Sequence, residues 1–156
     1  MTKRFLLALP CALVACAISC ASVTPTFRTT DREAITTLLD DQRKAWNRGD
    51  IPAFMNGYVR GQELVFTSGA QVRRGWQETH DRYLERYGTD TSTMGTLGFE
   101  VIDLKSLGAD GAVMLGRWSL AGLAEPLGGI FTIVFERRPE GWRIVHDHTS
   151  SDPVTP

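Results

Sequence analysis

Residues 97–149 read LGFEVIDLKSLGADGAVMLGRWSLAGLAEPLGGIFTIVFERRPEGWRIVHDHT, and the punctuation of this stretch decides the fold. Three glycine-bearing breaks, Gly108 to Gly111, Gly122 to Gly129 and Glu140-Gly141, divide it into four runs: Leu97–Leu107, Ala112–Ala121, Gly129–Arg138 and Trp142–Thr149. Each run is rich in β-branched and aromatic residues and bounded by turn residues, which reads as a strand. Connections this short join antiparallel neighbours as hairpins, because a parallel pair needs a long crossover. The spacing therefore predicts an antiparallel meander.

Upstream the period lengthens to that of a helix. Ile35, Leu38, Leu39, Gln42, Ala45 and Trp46 recur on one face, with Asp40, Asp41, Arg43 and Lys44 mostly on the other. Thr30-Asp31-Arg32-Glu33 reads as a capping box, which predicts one helix over 31–48 with Leu38, Leu39, Ala45 and Trp46 packed on the sheet. Gly49 suits its end, and Asp50 followed by Pro52 suits the start of a short second helix carrying Phe54, Met55 and Tyr58. Glu63 to Ser68 alternates as a strand, Gly69-Ala70 is turn-like, and Gln71 to Arg73 returns as a hairpin arm. Trp76, His80, Tyr83, Leu84 and Tyr87 then share a face of a third helix that Gly88 can end. This order predicts an α+β fold, a strongly bent antiparallel sheet wrapped as a cone around the N-terminal helices. The open mouth of such a cone is a natural place for a small ligand.

Composition bounds the rest. In 156 residues, 42% apolar and 22% charged, there is room for one globular domain, well away from the composition of disordered chains. A net charge of -1 provides no field to gather nucleic acid, and the basic doublets Arg73-Arg74 and Arg137-Arg138 lie in or beside turns, so no nucleic-acid partner is expected. Cys11, Cys16 and Cys20 are the only cysteines, which leaves the domain without a disulfide or a cysteine metal site. Lys3 and Arg4 precede an apolar stretch from Phe5 to Val14, the layout of an export signal and too short for a membrane span. Leu13-Val14-Ala15-Cys16 resembles a bacterial lipobox, with Cys20 as the alternative lipidation site and ordinary secretion, cut near Ala17 or Ala21, as the other outcome. The organisation expected is a signal over 1–20, a tether over 21–29, the domain over 30–151 and a tail over 152–156, in a protein exported to the periplasm or outer membrane.

Several segments together resemble a known family. Ala45-Trp46-Asn47-Arg48-Gly49-Asp50, Phe66-Thr67-Ser68-Gly69, Gly75-Trp76 with Tyr83 and Tyr87, Gly116-Arg117-Trp118, Gly129-Ile130-Phe131-Thr132 and Trp142 to Ser150 look like the domain-of-unknown-function 4440 and SnoaL-like group of the nuclear transport factor 2-like superfamily. The C-terminal segment is also similar to the calcium/calmodulin-dependent kinase II association domain. The resemblance implies a cystatin-like cone, a homodimer packed through the sheet and a pocket between sheet and helices. It implies no single activity, since the scaffold serves enzymes, binding proteins and assembly modules.

Strict alternation along the last strand puts Trp142, Ile144, His146 and His148 on one face and Arg143, Val145, Asp147 and Thr149 on the other. His146 and His148 are then the candidate acid/base pair, with Tyr58 or Tyr83 as hydrogen-bond donor to a carbonyl; His80 and Asp147 are the remaining candidate bases. Two histidines without an evident third ligand do not make a metal site, and no metal or cofactor is expected. Arg117, in the middle of an apolar strand, would need a carboxylate if it points inward, either from Glu100, Asp103 or Asp147 or from an acidic ligand. Trp46, Tyr58, Phe66, Trp76, Tyr83 and Trp118 complete the candidate ligand wall. The leading expectation is an exported binding domain for a small, partly apolar, acidic molecule; an isomerase or cyclase with a histidine base and a ligand-free homodimerisation module are the alternatives.

Overall fold

Asp31, rather than Thr30, sets the start of the first helix. The structure, a computed structural model, describes residues 26–88 and 90–152, so the signal and its cysteines lie outside the described residues. In it α1 runs Thr29–Asn47 with Arg28 at the N-cap. The Asp31 carboxylate accepts the Arg28 backbone N–H at 2.8 Å, pairs with Arg137 at 2.8 Å and accepts the Trp142 indole N–H at 3.4 Å. An acid in the first helical turn satisfies an orphan amide and suits the helix dipole, and here it also ties that turn to two strands. Ile35, Leu39, Gln42, Ala45 and Trp46 are buried along the expected stripe, with Leu38 half-buried beside them. At the other end the Asn47 amide donates to the Leu97 carbonyl at 3.1 Å and accepts the Leu97 N–H at 2.7 Å, clamping the helix to the edge of the sheet.

Asp50 caps α2 (Ile51–Phe54) by accepting the Ala53 N–H at 2.9 Å, and a 3₁₀ turn over Met55–Gly57 follows. Next come β1 (Val65–Ser68), β2 (Gln71–Arg74), α3 (Trp76–Tyr87) and a short α4 (Thr91–Met94) that the periodicity did not announce. The long strands are β3 (Thr96–Ser106), β4 (Gly111–Ala121), β5 (Leu127–Arg138) and β6 (Gly141–Thr149), within a residue or two of the four predicted runs.

These strands form one sheet in the order β2-β1-β6-β5-β4-β3. The meander from β3 to β6 is antiparallel, as predicted. The pairing of β1 with β6 is parallel, because the chain between them carries α3, α4 and four strands and so provides a crossover. The fold is α+β, with a strongly bent, unclosed sheet around the N-terminal helices.

Two irregularities shape the sheet. In β3 the register shifts between Val101 and Asp103. In β6, Ile144 faces Phe135 while His146 faces Val134, so Val145 is an extra, unpaired residue. Such a bulge bends the strand and resets which side chains face the concave side. Gly116 permits a close approach: a Cβ there would overlap the Phe131 ring and lie 2.7 Å from the Glu100 carbonyl oxygen.

Candidate functional site

The concave face presents two rows of side chains running across strands. One is Gln71, Ser68, Thr149 and Phe131; the next is Arg73, Phe66, Asp147 and Ile133. All eight line a cavity of about 500 Å³, a size suited to a small organic molecule. Leu39, Gln42 and Trp46 of α1, Phe54 of α2, Tyr58, and Tyr83 and Tyr87 of α3 form the opposite wall. The aromatic rings meet edge to face, Tyr83 lying 5.1 Å from Phe54, 5.7 Å from Phe66 and 6.1 Å from Trp46 between centroids.

Asp147 is the one carboxylate in this lining among the described residues. It is 8% exposed, and its Oδ2 accepts the Tyr58 hydroxyl at 2.8 Å. Its Oδ1 is buried and has no hydrogen-bond partner among the described residues. Burial pushes the carboxyl up to about 7, against the opposing pull of the Tyr58 hydrogen bond. The Tyr58 and Tyr83 phenols are driven well above their ordinary range, first by burial and next by the Asp147 charge, so both hold their protons at neutral pH. Local structure sets this pair. The 3₁₀ turn ends at Tyr58, which bridges to Ile144, and Val59 donates its N–H to the Ile144 carbonyl at 2.9 Å. The backbone of β6 therefore holds Tyr58 next to the segment that carries Asp147.

Trp46, Tyr58, Phe66, Tyr83 and Trp118, all singled out from sequence, come together in this lining. Trp76 does not: it stacks on His80 with centroids 4.9 Å apart and donates its indole N–H to the Met55 carbonyl at 2.9 Å. His146 and His148 also lie elsewhere, in convex-face rows with Val65, Val134 and Val113 and with Thr67, Thr132 and Leu115. The bulge at Val145 is the reason, since it shifts the strand phase between Ile144 and Asp147. Arg117 is exposed on the convex face between Glu100 and Ile130, because Met114, Gly116 and Trp118 take the inward positions of β4. The expected convergence of Arg117, His146 and a tyrosine is thus replaced by Tyr58, Tyr83 and Asp147. The adjacent apolar pair Ile144-Val145, in a strand that otherwise alternates, is the sequence signal of the phase break.

The profile of the SnoaL-like domain family matches residues 35–155. The chain belongs to the SnoaL-like domain family. A nuclear transport factor 2-like protein of unknown function from Shewanella oneidensis is 37% identical, with a TM-score of 0.73 over 76% of this chain and 98% of that one. Two further solved structures share the fold at lower identity. A ketosteroid isomerase-like protein from Erwinia carotovora is 20% identical, with a TM-score of 0.64 over 83% of this chain and 100% of the other. A domain of unknown function with a cystatin-like fold from Nostoc punctiforme is 20% identical, with a TM-score of 0.65 over 82% and 81%. Among curated proteins none matches the chain. This member of the SnoaL-like family therefore has the expected scaffold, and its chemistry has to be read from its own cavity.

Proposed function

We propose that the protein binds a small, largely apolar carbonyl compound in the cone and moves a proton on it, with Asp147 as general base and acid. The observation that carries this reading is the buried Asp147 of the cavity lining, with Oδ1 unpartnered and Oδ2 fixed by Tyr58. A group that titrates near the working pH is best placed both to take a proton and to return it. Oδ1 removes a proton from the carbon beside the carbonyl; the C–H electron pair becomes the C=C bond of the enolate, and the charge collects on oxygen. Tyr83, protonated at neutral pH, is the donor for that oxygen. Delivery of the proton from Asp147 to another carbon gives an isomer, and attack of the enolate on an internal electrophile gives a ring.

Export rests on the signal-like residues 1–20. Assembly as a homodimer through the convex face is part of the same reading. That face carries Val65, Val113, Leu115 and Val134, and the helices pack on the other side of the sheet.

Deuterium exchange tests the central step. The protein is incubated in D₂O with a panel of β,γ-unsaturated ketones and 1,3-dicarbonyl compounds, and isotope uptake at the α-carbon is followed by NMR. Catalysed exchange is expected for members of the panel, falling roughly 10²- to 10⁴-fold in Asp147→Asn. Binding with no catalysed exchange would make this a binding protein, and exchange unchanged in Asp147→Asn would remove Asp147 from the reaction.

A further inference from the structure

We infer that the ligand carries an anionic head held at the cavity rim by Arg73 and Arg86 while its apolar body reaches inward, which makes apolar monocarboxylates the class this site takes. The inference rests on the cavity being a ligand site and adds which ligands it selects. Charge in the lining is segregated. Asp147 is its single acid, whereas Arg73, Arg82 and Arg86 supply three cations. Arg82 is paired with Glu85 at 2.7 Å. Among the described residues Arg73 and Arg86 have no carboxylate within salt-bridge distance: Arg73 holds the Gln71 side chain, and the Arg86 guanidinium lies 5.2 Å from the centroid of the Tyr87 ring. Two guanidinium groups without acidic partners beside an apolar chamber match a carboxylate by charge and by donor geometry.

Register fixes the orientation. Arg73, Phe66 and Asp147 occupy one row on adjacent strands, so the Arg73 and Asp147 backbones are two strand spacings apart, roughly 10 Å. Beyond Asp147, β6 continues through Thr149 toward Ser151, and both line the cavity together with Ser68 and Gln71 of the hairpin. The polar end is therefore the hairpin end, and the aromatic wall lies deeper. A carboxylate seated against Asp147 would set two acids together in an apolar chamber, which is costly; at the rim it meets cations and solvent. The carbon that exchanges its proton is accordingly remote from the charged head.

Isothermal titration with 4-phenylbutyrate and 4-phenylbutan-1-ol, which share one apolar body, tests the assignment on the folded protein. At low salt the acid is expected to bind roughly fivefold more tightly than the alcohol, an advantage that shrinks at high salt. In Arg73→Gln/Arg86→Gln the advantage should vanish while the affinity for the alcohol, which also reports an intact cavity, stays unchanged. Equal affinities in the wild type, or an acid preference that survives the double substitution, would overturn the rim assignment and leave the cavity standing as a ligand site. Failure of both probes to bind would overturn it together with the pocket reading.

Discussion

Asp147 is held in an environment that opposes its own ionisation, and two measurable consequences arise from that one carboxyl. Tyr58 donates to the carboxylate and lowers its pKa, so removing the hydroxyl leaves burial unopposed. The pH–rate profile of the exchange reaction is expected to rise with a midpoint near 7 in the wild type and to shift alkaline in Tyr58→Phe. The second consequence is for folding. An unfolded Asp titrates at about 3.9, whereas the native group titrates at about 7. Between those values the native state keeps a proton that the unfolded chain has released, so this residue's effect on stability worsens as pH rises from about 4 to about 7. Asp31 works in the opposite sense: its carboxyl is lowered to about 2, chiefly by the hydrogen bond from Arg137, so its contribution is complete above about pH 4 and is lost as the pH falls toward 2. Thermal unfolding of Asp147→Asn should therefore gain on the wild type between about pH 5 and pH 8. A constant difference across that range would show that Asp147 is not held protonated.

At the scale of elements, the missing side chain at Gly116 of β4 leaves the space that the Phe131 ring of β5 occupies. Gly116→Ala is expected to cost about 1–3 kcal/mol in denaturant unfolding and to narrow the cavity that Phe131 lines. A loss within experimental error would mean that the ring yields freely. Local chemistry announced most elements: the Asp50 cap, the glycine ends at Gly49 and Gly88, and the glycine breaks between β3, β4, β5 and β6 all act within a few residues of themselves. What escaped the sequence depends on partners distant in the chain. Asp31, which accepts the Arg28 N–H at the start of α1, is also held by Arg137 and Trp142, more than a hundred residues away. The parallel union of β1 with β6 is likewise non-local. The same division runs through the site. Its aromatic wall was legible because large rings at helical or strand spacing have few places to go, whereas the choice between His146 and Asp147 depends on how β6 registers against Val134 and Phe135 of β5.

At the scale of the whole molecule, the sheet separates two environments, a concave side closed by helices and a convex side bearing His146, His148, Arg117 and a band of aliphatic residues. Native mass spectrometry of protein extracted from its source membranes reads assembly and anchoring together. The expected species is a dimer whose N-terminal Cys16 carries lipid, and Val134→Lys should shift it to the monomer; an unmodified monomer would overturn both proposals. The bulge at Val145 bears also on how such a chain can vary in length. Losing a codon inside a strand ordinarily reverses every side chain beyond the lesion. Loss of codon 145 would instead delete the one unpaired residue and leave Trp142, Ile144, Asp147 and Thr149 at alternate positions, still on the concave side. This strand therefore contains a site where a single-codon deletion leaves Asp147 facing its cavity and gives up only the local bend, whereas straightening β6 with Val145 retained would turn His146 and His148 inward without changing a single amino acid.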